Sequence, residues 1–424
     1  MTDAKPVPSP IDPRLLPVAR VIERPPAERP SHDSIDAIAE WLVGPARQIE
    51  SMAQAFDEFA WRMLSTGLPL LRVQLHATTL HPQFLGTTFT WRRSTGQTTQ
   101  VLVAHEVGDL IPYEHNPVQR VTMGGETLRR RLCGPDQQLD FGVLHELKAA
   151  GATDYLALPV SSARAGRHYL VSYVTDQPGG LSDRDVADLT RVSQRLAVVV
   201  DMHNLRAIAR NLLGAYLGAK TGPKVWEGQI RRGSGEELNA VLWSSDLRGF
   251  TERSDRLPGD RVIAMLNALF DAQAKAIHDH GGEILKFVGD GLLAIFPIED
   301  AAMAGAATRR ALEAAQEALA AVENLREHAA LIDEPPLRIV VALHVGTVIY
   351  GNIGAAERLD FTVIGPAVNL VSRVEAIAKA LDRPIVVSDD FAHACDAPLT
   401  SLGRHKLRGL SMPHELFAPD LASP

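Results

Sequence analysis

The segment that decides the fold of the second half of this chain is Gly281-Gly282-Glu283-Ile284-Leu285-Lys286-Phe287-Val288-Gly289-Asp290-Gly291. We consider it together with Ser245-Asp246-Leu247-Arg248-Gly249-Phe250-Thr251 upstream. In each segment an aspartate ends an apolar run beside glycines, which allow tight backbone turns. Two carboxylates that meet in space can hold two divalent cations about 3.5–4 Å apart, as in phosphoryl transfer. The turn after Asp246 leads into a helix and can offer backbone N–H groups to phosphates.

Length and composition predict a soluble protein of two or three domains. The chain has 424 residues, of which 46% are hydrophobic and 22% are charged, and its formal net charge is −8. This negative charge argues against a nucleic-acid partner. Cys133 and Cys395 lie far apart without metal-type spacing, which favours a reduced, cytoplasmic setting. No apolar run approaches the roughly 20 residues of a membrane helix, so we expect no membrane span.

The first half predicts an α+β domain that follows a disordered lead-in. Residues 1–33 contain prolines and mixed charges but no apolar signal region, and this composition predicts disorder. Residues 34–181 combine helical patterns with short strand-like runs. Their order resembles a GAF-type sensor domain, which implies a small-molecule ligand of unknown identity. No distinctive ligand motif is found in this part of the sequence.

Residues 182–235 are predicted to form a linking helix and a connector. Asp183 and Asp185 lie in the first turn of the helical pattern, where the helix dipole favours negative charge. The pattern breaks at Gly222-Pro223. Two interpretations stay open, namely a helix packed on its own domain and a parallel dimer helix between domains. The second rests on four apolar residues at the 3-4-3 spacing of a coiled coil: Leu189, Val192, Leu196 and Val199.

Residues 236–418 alternate strand and helix patterns. The predicted hairpin joins strands at 283–287 and 292–296 through Gly289-Asp290-Gly291, where glycine tolerates positive φ. Strand patterns at 240–244, 337–345 and 384–387 and helical patterns over 259–278, about 300–330 and 366–381 complete a β-α-β-β-α-β order. This order is the ferredoxin-like arrangement with additions. The predicted fold class is therefore α/β (α+β), with a ferredoxin-like second domain after a GAF-like domain and a linking helix.

Several separated motifs of residues 236–418 resemble, in type and in order, the class III adenylate/guanylate cyclase catalytic domain. The resemblance implies that Asp246 and Asp290 bind two Mg²⁺ or Mn²⁺ ions, with Leu247 contributing through its backbone. It also implies that three residues of the upstream turn bind the substrate: Gly249, Phe250 and Thr251. The alternative is that each aspartate only caps a turn, as aspartate often does.

Two further residues are implied to recognise the purine base. Lys286 precedes Asp290 by four residues, and a lysine can donate to the N1 acceptor of adenine, whereas guanine N1–H is itself a donor. Thr362 takes the second position, where many members of the family have Asp; threonine marks a subset that includes bicarbonate-responsive adenylate cyclases. Its hydroxyl can still accept from the adenine amino group. ATP is therefore the favoured substrate, with weaker discrimination against GTP.

The segment Val368-Asn369-Leu370-Val371-Ser372-Arg373 matches the Asn-x-x-x-Arg helix of the same family. The i, i+4 spacing places Asn369 and Arg373 on one face of a helix. The resemblance implies that Asn369 orients the ribose and that Arg373 stabilises charge developing on the α-phosphate. Arg408 stands where the family commonly has a phosphate-binding lysine, and Lys406 is the alternative for that role.

In the resembled family the metal-binding aspartates come from one subunit, whereas the base-reading and transition-state residues come from the other. A chain with both sets is therefore expected to form a head-to-tail homodimer. The leading hypothesis is an adenylate cyclase that converts ATP to 3′,5′-cyclic AMP and pyrophosphate under control of the N-terminal domain. The alternatives are a guanylate or relaxed purine nucleotide cyclase and a catalytically silent nucleotide-binding module. Diguanylate cyclases share a related fold, but the residues after Gly281-Gly282 differ from their acidic turn.

Overall fold

The computed structural model describes residues 13–110, 117–161, 168–218, 220–327, 334–355 and 357–420. The chain divides into two compact units, Met1–Leu212 and Leu213–Pro424. The division falls inside the segment 182–235 that we predicted to be a linking helix and connector. Within the described residues, no helix is long and apolar enough to cross a membrane.

The first unit is built on an antiparallel sheet of seven described strands in the order β1-β4-β3-β2-β7-β6-β5. The strands are β1 (Val18–Glu23), β2 (Leu70–Thr78), β3 (Phe84–Arg92), β4 (Gln97–Ala104), β5 (Leu128–Arg131), β6 (Asp154–Ser161) and β7 (His168–Thr175). The helices are α1 (Ile35–Val43), α2 (Met52–Ser65), α3 (Val107–Leu110), α4 (Pro117–Gly124), α5 (Gly142–Ala149) and α6 (Asp183–Leu217). Apolar residues of α1, α2 and α6 form one core on the sheet, and residues of α4 and α5 belong to a second. The α+β class is confirmed, and the resemblance to a GAF domain stays a prediction.

The expectation of disorder over residues 1–33 is wrong for strand β1, which pairs with β4. The reason lies in a charge pair just after the strand. Nε of Arg24 lies 2.9 Å from Oδ2 of Asp57, a fully buried aspartate of α2 that also accepts a hydrogen bond from Oγ1 of Thr98 at 2.8 Å. A buried carboxylate requires such partners, and this pair fixes the lead-in against the sheet. Residues 1–12 lie outside the described residues.

The packing of helix α6 decides between the two interpretations of the apolar 3-4-3 pattern. The four residues of that pattern are fully buried in the core of the first unit: Leu189, Val192, Leu196 and Val199. A helix packed on its own domain is therefore correct, and the dimer-helix interpretation is wrong at these positions. Beyond them Leu205 and Leu212 are exposed. The pattern becomes irregular there because the helix leaves its core.

The second unit contains an eight-stranded sheet in the order β14-β15-β13-β11-β8-β10-β9, with β12 paired to β11. The strands are β8 (Gly235–Leu247), β9 (Glu283–Val288), β10 (Gly291–Ile298), β11 (Ile339–Gly354), β12 (Leu359–Ile364), β13 (Ile385–Ser388), β14 (Leu399–His405) and β15 (His414–Pro419). The helices are α7 (Thr221–Trp226), α8 (Phe250–Arg256), α9 (Gly259–Asp279), α10 (Ala304–Glu323), α11 (Pro366–Ala380) and α12 (Asp389–Ala394). The predicted order of strands and helices is confirmed, with β12, β14 and β15 as the additions.

Two apolar cores lie on opposite faces of this sheet. One contains residues of α9, α10 and α12, and the other contains residues of α11. Adjacent residues of β8 face opposite cores because side chains alternate along a strand. The predicted helix break at Gly222-Pro223 is wrong, since both residues lie inside α7. Helix α6 ends instead at Leu217, before Gly218 with φ of 93°.

Candidate active site

Asp246 lies near the end of β8, which is hydrogen-bonded to β10 on one side and to β11 on the other. Its neighbour Leu247 is only 2% exposed and packs in the core with α9 and α10. Strand alternation therefore turns the carboxylate of Asp246 to the opposite face, on which α11 lies. The side chain of Asp246 keeps 21% of its surface exposed. The strand thus fixes the carboxylate in place and leaves it accessible.

The turn after Asp246 is closed by a glycine. Gly249 adopts the left-handed conformation, with φ of 71°, and α8 begins at the next residue. The backbone N–H of Arg248 donates to the carbonyl oxygen of Arg338 at 2.8 Å, which holds the start of the turn against the chain leading into β11. The predicted glycine turn that opens into a helix is therefore present next to Asp246.

Asp290 is brought to the same place by the hairpin of β9 and β10. Gly289 has φ of 63°, as expected for the turn, and β10 pairs with β8 from Leu292 onward. A Cβ atom at Gly291 would lie 2.3 Å from the carbonyl oxygen of Ser245 and 3.4 Å from Oδ1 of Asp246. Only glycine permits this close approach. The conformation of the hairpin therefore determines how near the two aspartates lie.

A pocket of about 520 Å³ contains both aspartates. The residues that line it are Asp246, Leu247, Arg248, Gly249, Phe250, Thr251, Glu252, Asp290 and Lys379. Six residues predicted from the sequence to bind metal or substrate therefore meet in one pocket of a single chain. The other predicted residues do not line it.

The electrostatics of the pocket reflect two carboxylates in a restricted space. Burial raises the pKa of Asp290, and the negative charge of Asp246 raises it further. Both effects disfavour the charged form of Asp290. A cation placed between the two carboxylates would relieve the repulsion.

Lys379 is a residue of this site that the sequence analysis missed. Its Nζ lies 2.6 Å from Oδ2 of Asp246 and 3.0 Å from Oε1 of Glu375, which is one helical turn earlier on α11. Glu375 also accepts a short hydrogen bond from Oγ of Ser244 on β8. The i, i+4 spacing of Glu375 and Lys379 was visible in the sequence. Their contact with a strand more than 130 residues earlier was not.

The donor chemistry of the pocket suits a hard divalent cation. Asp246 and Asp290 offer carboxylate oxygens, which Mg²⁺ prefers. The ammonium of Lys379 already provides a positive charge next to Asp246. Leu247, whose backbone is the predicted third donor, also lines the pocket. Among the described residues, no group of three or more His, Cys, Asp or Glu side chains forms a metal cluster. Asp246 and Asp290 are the residues that would hold the metal.

The two predicted base-reading residues lie away from this pocket, on β9 and β12. Lys286 is exposed on β9, and Thr362 lies on β12, which is close to β9 in space. Thr362 is only 7% exposed, and its Oγ1 has no hydrogen-bond partner in the described structure. A buried hydroxyl without a partner costs free energy. This hydroxyl is therefore available to a ligand that reaches β12.

The remaining predicted residues lie on α11 and in the loop before β15. Asn369 is exposed in the first turns of α11, and Arg373 follows it half-buried, as the predicted spacing requires. A Cβ atom at Gly409 would lie 3.5 Å from Nη2 of Arg373, so the loop that carries Arg408 is close to Arg373. Arg408 and Lys406 are both exposed. The three residues predicted to bind ribose and phosphate therefore lie in one region, outside the aspartate pocket.

A family model described as "Adenylate and Guanylate cyclase catalytic domain" matches residues 237–414. Both aspartates, the hairpin and α11 lie within this match. Residues 237–414 belong to the adenylate and guanylate cyclase catalytic domain family. The predicted class III cyclase domain is thereby confirmed.

Two curated relatives of the chain are described as adenylate cyclases. "Adenylate cyclase 1" of Rhizobium meliloti is 28% identical over 260 residues, which cover 58% of this chain and 38% of the relative. "Adenylate cyclase" of Anabaena cylindrica is 29% identical over 173 residues, which cover 40% of this chain and 33% of the relative. The chain thus spans less than half the length of these relatives.

Solved structures of cyclases are similar to part of the chain. The guanylyl cyclase Cya2 is 28% identical with a TM-score of 0.38, and the match covers 43% of this chain and 92% of that one. The adenylyl cyclase CyaB from P. aeruginosa is 25% identical with a TM-score of 0.38, and the match covers 43% of this chain and 94% of that one.

Proposed function

We propose that this chain is an adenylate cyclase that converts ATP to 3′,5′-cyclic AMP and pyrophosphate. The observation that carries the proposal is the meeting of Asp246 and Asp290 in one pocket beside the turn of Gly249. A module that only binds nucleotides has no need of this pair together with Asn369 and Arg373. The same combination argues against a catalytically silent module.

In the proposed reaction the ribose 3′-oxygen forms a bond to the α-phosphorus. The bond between that phosphorus and the oxygen bridging to the β-phosphate breaks, and pyrophosphate leaves. Two Mg²⁺ or Mn²⁺ ions at Asp246 and Asp290 would, when bound, offset phosphate charge and make the 3′-hydroxyl more acidic. Arg373 offsets charge that develops on the α-phosphate, Asn369 orients the ribose, and Arg408 binds the phosphate chain.

The preference for ATP rests on Lys286 and Thr362. Lys286 is exposed and can donate to N1 of adenine, which is an acceptor. The unpartnered hydroxyl of Thr362 can accept from the exocyclic amino group of the same base. Thr362 carries no charge, so rejection of guanine relies on fewer interactions than an aspartate would provide. A guanylate or relaxed purine cyclase is therefore the second candidate.

The active site is proposed to form between two copies of the chain. Asp246 and Asp290 line a pocket that does not include Lys286, Thr362, or the residues of α11 and the loop that bind ribose and phosphate. A head-to-tail homodimer places the second set from one chain over the aspartates of the other. Each dimer then has two equivalent sites.

The N-terminal unit is proposed to regulate the cyclase domain. It has its own sheet and cores, and α6 continues from it to Leu217 without a break. The GAF-like resemblance suggests a small-molecule ligand that changes the activity. The continuous helix supplies a physical connection between the two units.

A product assay tests the proposal directly. The purified full chain is incubated with ATP, GTP, CTP or UTP and with Mg²⁺ or Mn²⁺, and the products are identified by mass. An Asp246→Asn preparation purified in parallel controls for contaminating cyclases. Cyclic AMP as the main product, absent from the control, supports the proposal. A main product of cyclic GMP favours the second candidate, and no cyclic product under any condition favours the silent module.

A further inference from the structure

The pocket of Asp246 and Asp290 contains one lysine, and that lysine has two acidic partners. Nζ of Lys379 is 2.6 Å from Oδ2 of Asp246 and 3.0 Å from Oε1 of Glu375. The ammonium is thus within contact distance of a proposed metal ligand and of a second carboxylate that does not line the pocket. One position of the lysine side chain thus serves both carboxylates at once.

The second partner is itself fixed. Glu375 accepts a short hydrogen bond from Oγ of Ser244, which lies on β8 two residues before Asp246 and therefore on the same face. Strand β8 and α11 hold the two carboxylates on either side of Lys379. The alternative position for the ammonium is therefore present before any ligand arrives.

The other cation that lines the pocket is engaged elsewhere. Nη1 of Arg248 lies 2.6 Å from Oδ1 of Asp382, outside the aspartate pocket. Lys379 is thus the pocket-lining cation that faces Asp246 in the described part of the chain. With Asp246, Asp290 and Glu375 it forms a group of three acids and one base.

We propose that Lys379 is a positioning residue that competes with the divalent cation for Asp246. Without a cation, Lys379 neutralises Asp246; when a cation binds, Lys379 gives up Asp246 and keeps its contact with Glu375. The lysine lowers the affinity of the nucleotide-free pocket for metal, because a cation must displace another positive charge to reach Asp246. The metal is then held well only when substrate phosphates bring further negative charge. This inference rests on the proposed metal site at Asp246 and Asp290.

The test measures Mn²⁺ binding to the nucleotide-free full chain at pH 7, from the electron paramagnetic resonance signal of free Mn²⁺. Lys379→Gln removes the charge and keeps the length of the side chain, and we expect the Kd for Mn²⁺ to fall by about three- to tenfold. Lys379→Arg retains a cation and should bind Mn²⁺ no more tightly than wild type. Lys275→Gln is the matched control, because exposed Lys275 also pairs with an aspartate, Asp279, and its loss should leave the Kd unchanged.

A second variant tests the shift to Glu375. Glu375→Gln leaves Lys379 with Asp246 alone, so we expect Mn²⁺ binding to weaken by about threefold or more in the wild-type background. The weakening should be at least halved in the Lys379→Gln background, because the lysine through which Glu375 acts is then absent. Circular dichroism verifies that each variant is folded, and if Lys379→Gln fails to fold, Lys379→Met replaces it in both comparisons.

Three results would overturn the inference. Mn²⁺ binding by Lys379→Gln that equals or is weaker than wild type means that Lys379 supports the metal site and does not compete for it. Equal weakening by Glu375→Gln in both backgrounds means that Glu375 attracts the cation directly. Identical Mn²⁺ binding by wild type and Asp246→Asn would show that the metal does not bind at Asp246. The proposed function would then fail together with the inference.

Discussion

The phenol of Tyr350 donates a hydrogen bond to Oε1 of Glu283 at 3.1 Å in the interior of the second unit. The hydroxyl of Thr221 joins them, at 2.5 Å from the Tyr350 oxygen and 3.1 Å from the same Glu283 oxygen. The three residues belong to α7, β9 and β11. The connector after α6 is therefore fixed to the strand that leads into the Asp290 hairpin.

We expect Tyr350→Phe to lower the free energy of unfolding by about 1–3 kcal/mol, because it leaves the buried carboxylate of Glu283 with one donor fewer. Thr221→Val should cost a similar amount, and the double variant should cost less than the sum because the residues share one network. Urea denaturation followed by circular dichroism measures these changes. Tyr216→Phe is the control, since Tyr216 is 84% exposed. Additive losses would show that the three side chains do not act together.

The carboxylate pair is tested by charge removal. Asp246→Asn and Asp290→Asn should each lower the rate of cyclic nucleotide formation more than tenfold, about 1.4 kcal/mol or more in activation free energy. One neutralised ligand weakens both cation sites. Asp271→Asn, an exposed residue of α9, should leave the rate unchanged. A rate above a tenth of wild type in either pocket variant would contradict the two-metal assignment.

The composite site is tested by mixing two inactive chains. Asp290→Asn chains mixed with Arg373→Ala chains should regain activity, because a heterodimer contains one site with neither substitution. Asp290→Asn mixed with Asp246→Asn should stay inactive, since both changes fall in the same half of the site. Activity is measured after subunit exchange, which differently tagged chains report. Continued inactivity of the first mixture despite exchange would argue against a site shared by two chains.

His76 should make the stability of the protein depend on pH. Burial, assisted by the charge of Arg72, lowers the pKa of His76 to about 3, and its Nδ1 is 2.8 Å from Oγ1 of Thr88. Below pH 6.5 the unfolded chain takes up a proton that the folded chain refuses, so stability is lost as the pH falls toward 3, by up to about 1.4 kcal/mol per pH unit.

His76→Gln should therefore flatten the loss of stability between pH 6.5 and about pH 3, where the folded His76 begins to take up a proton. Urea midpoints at pH 7, 6 and 5 for variant and wild type measure the effect. His32→Gln, at an exposed position, controls for histidine removal as such. Parallel pH curves for wild type and His76→Gln would mean that His76 titrates alike in the folded and unfolded chains.

The connection through α6 is tested by insertions near Ala207, beyond the buried part of the helix. Two residues rotate everything that follows by about 200°, whereas four rotate it by about 400°, close to a whole turn. The two-residue insertion should therefore change the basal cyclase activity more than the four-residue insertion. Equal activities of both insertions and of wild type, at equal dimer affinity, would mean that α6 is a passive tether.

Sequence reasoning correctly predicted the elements whose conformation depends on residues close together in the chain. The hairpin at Asp290 follows from its two glycines, and α11 follows from its apolar spacing. The predicted helix break at Pro223 is wrong although proline commonly ends a helix. Pro223 is the third residue of α7, where a backbone N–H has no acceptor within the helix, and proline is tolerated there.

Contacts between distant segments could not be predicted. The pair of Lys379 and Asp246 and the pair of Arg24 and Asp57 each join residues whose nearness depends on the completed sheet. Strand β1 could not be predicted for the same reason. Its sequence is short and exposed, and it is ordered because it pairs with β4. A single sequence contains the residues of such pairs but not their distances.

Strand β8 has a mechanical consequence. It is 13 residues long, roughly 40 Å at the usual rise per residue, and it runs from the connector to Asp246 with a hydrogen-bonded neighbour on each side. Sliding it by one residue would turn its buried side chains to the wrong faces. The strand therefore cannot slide along its axis without losing its packing, and under the proposed regulation a change at the connector would move Asp246 together with the sheet. In the proposed homodimer, control of this kind would change how two cyclase domains meet while the sheet of each keeps its register.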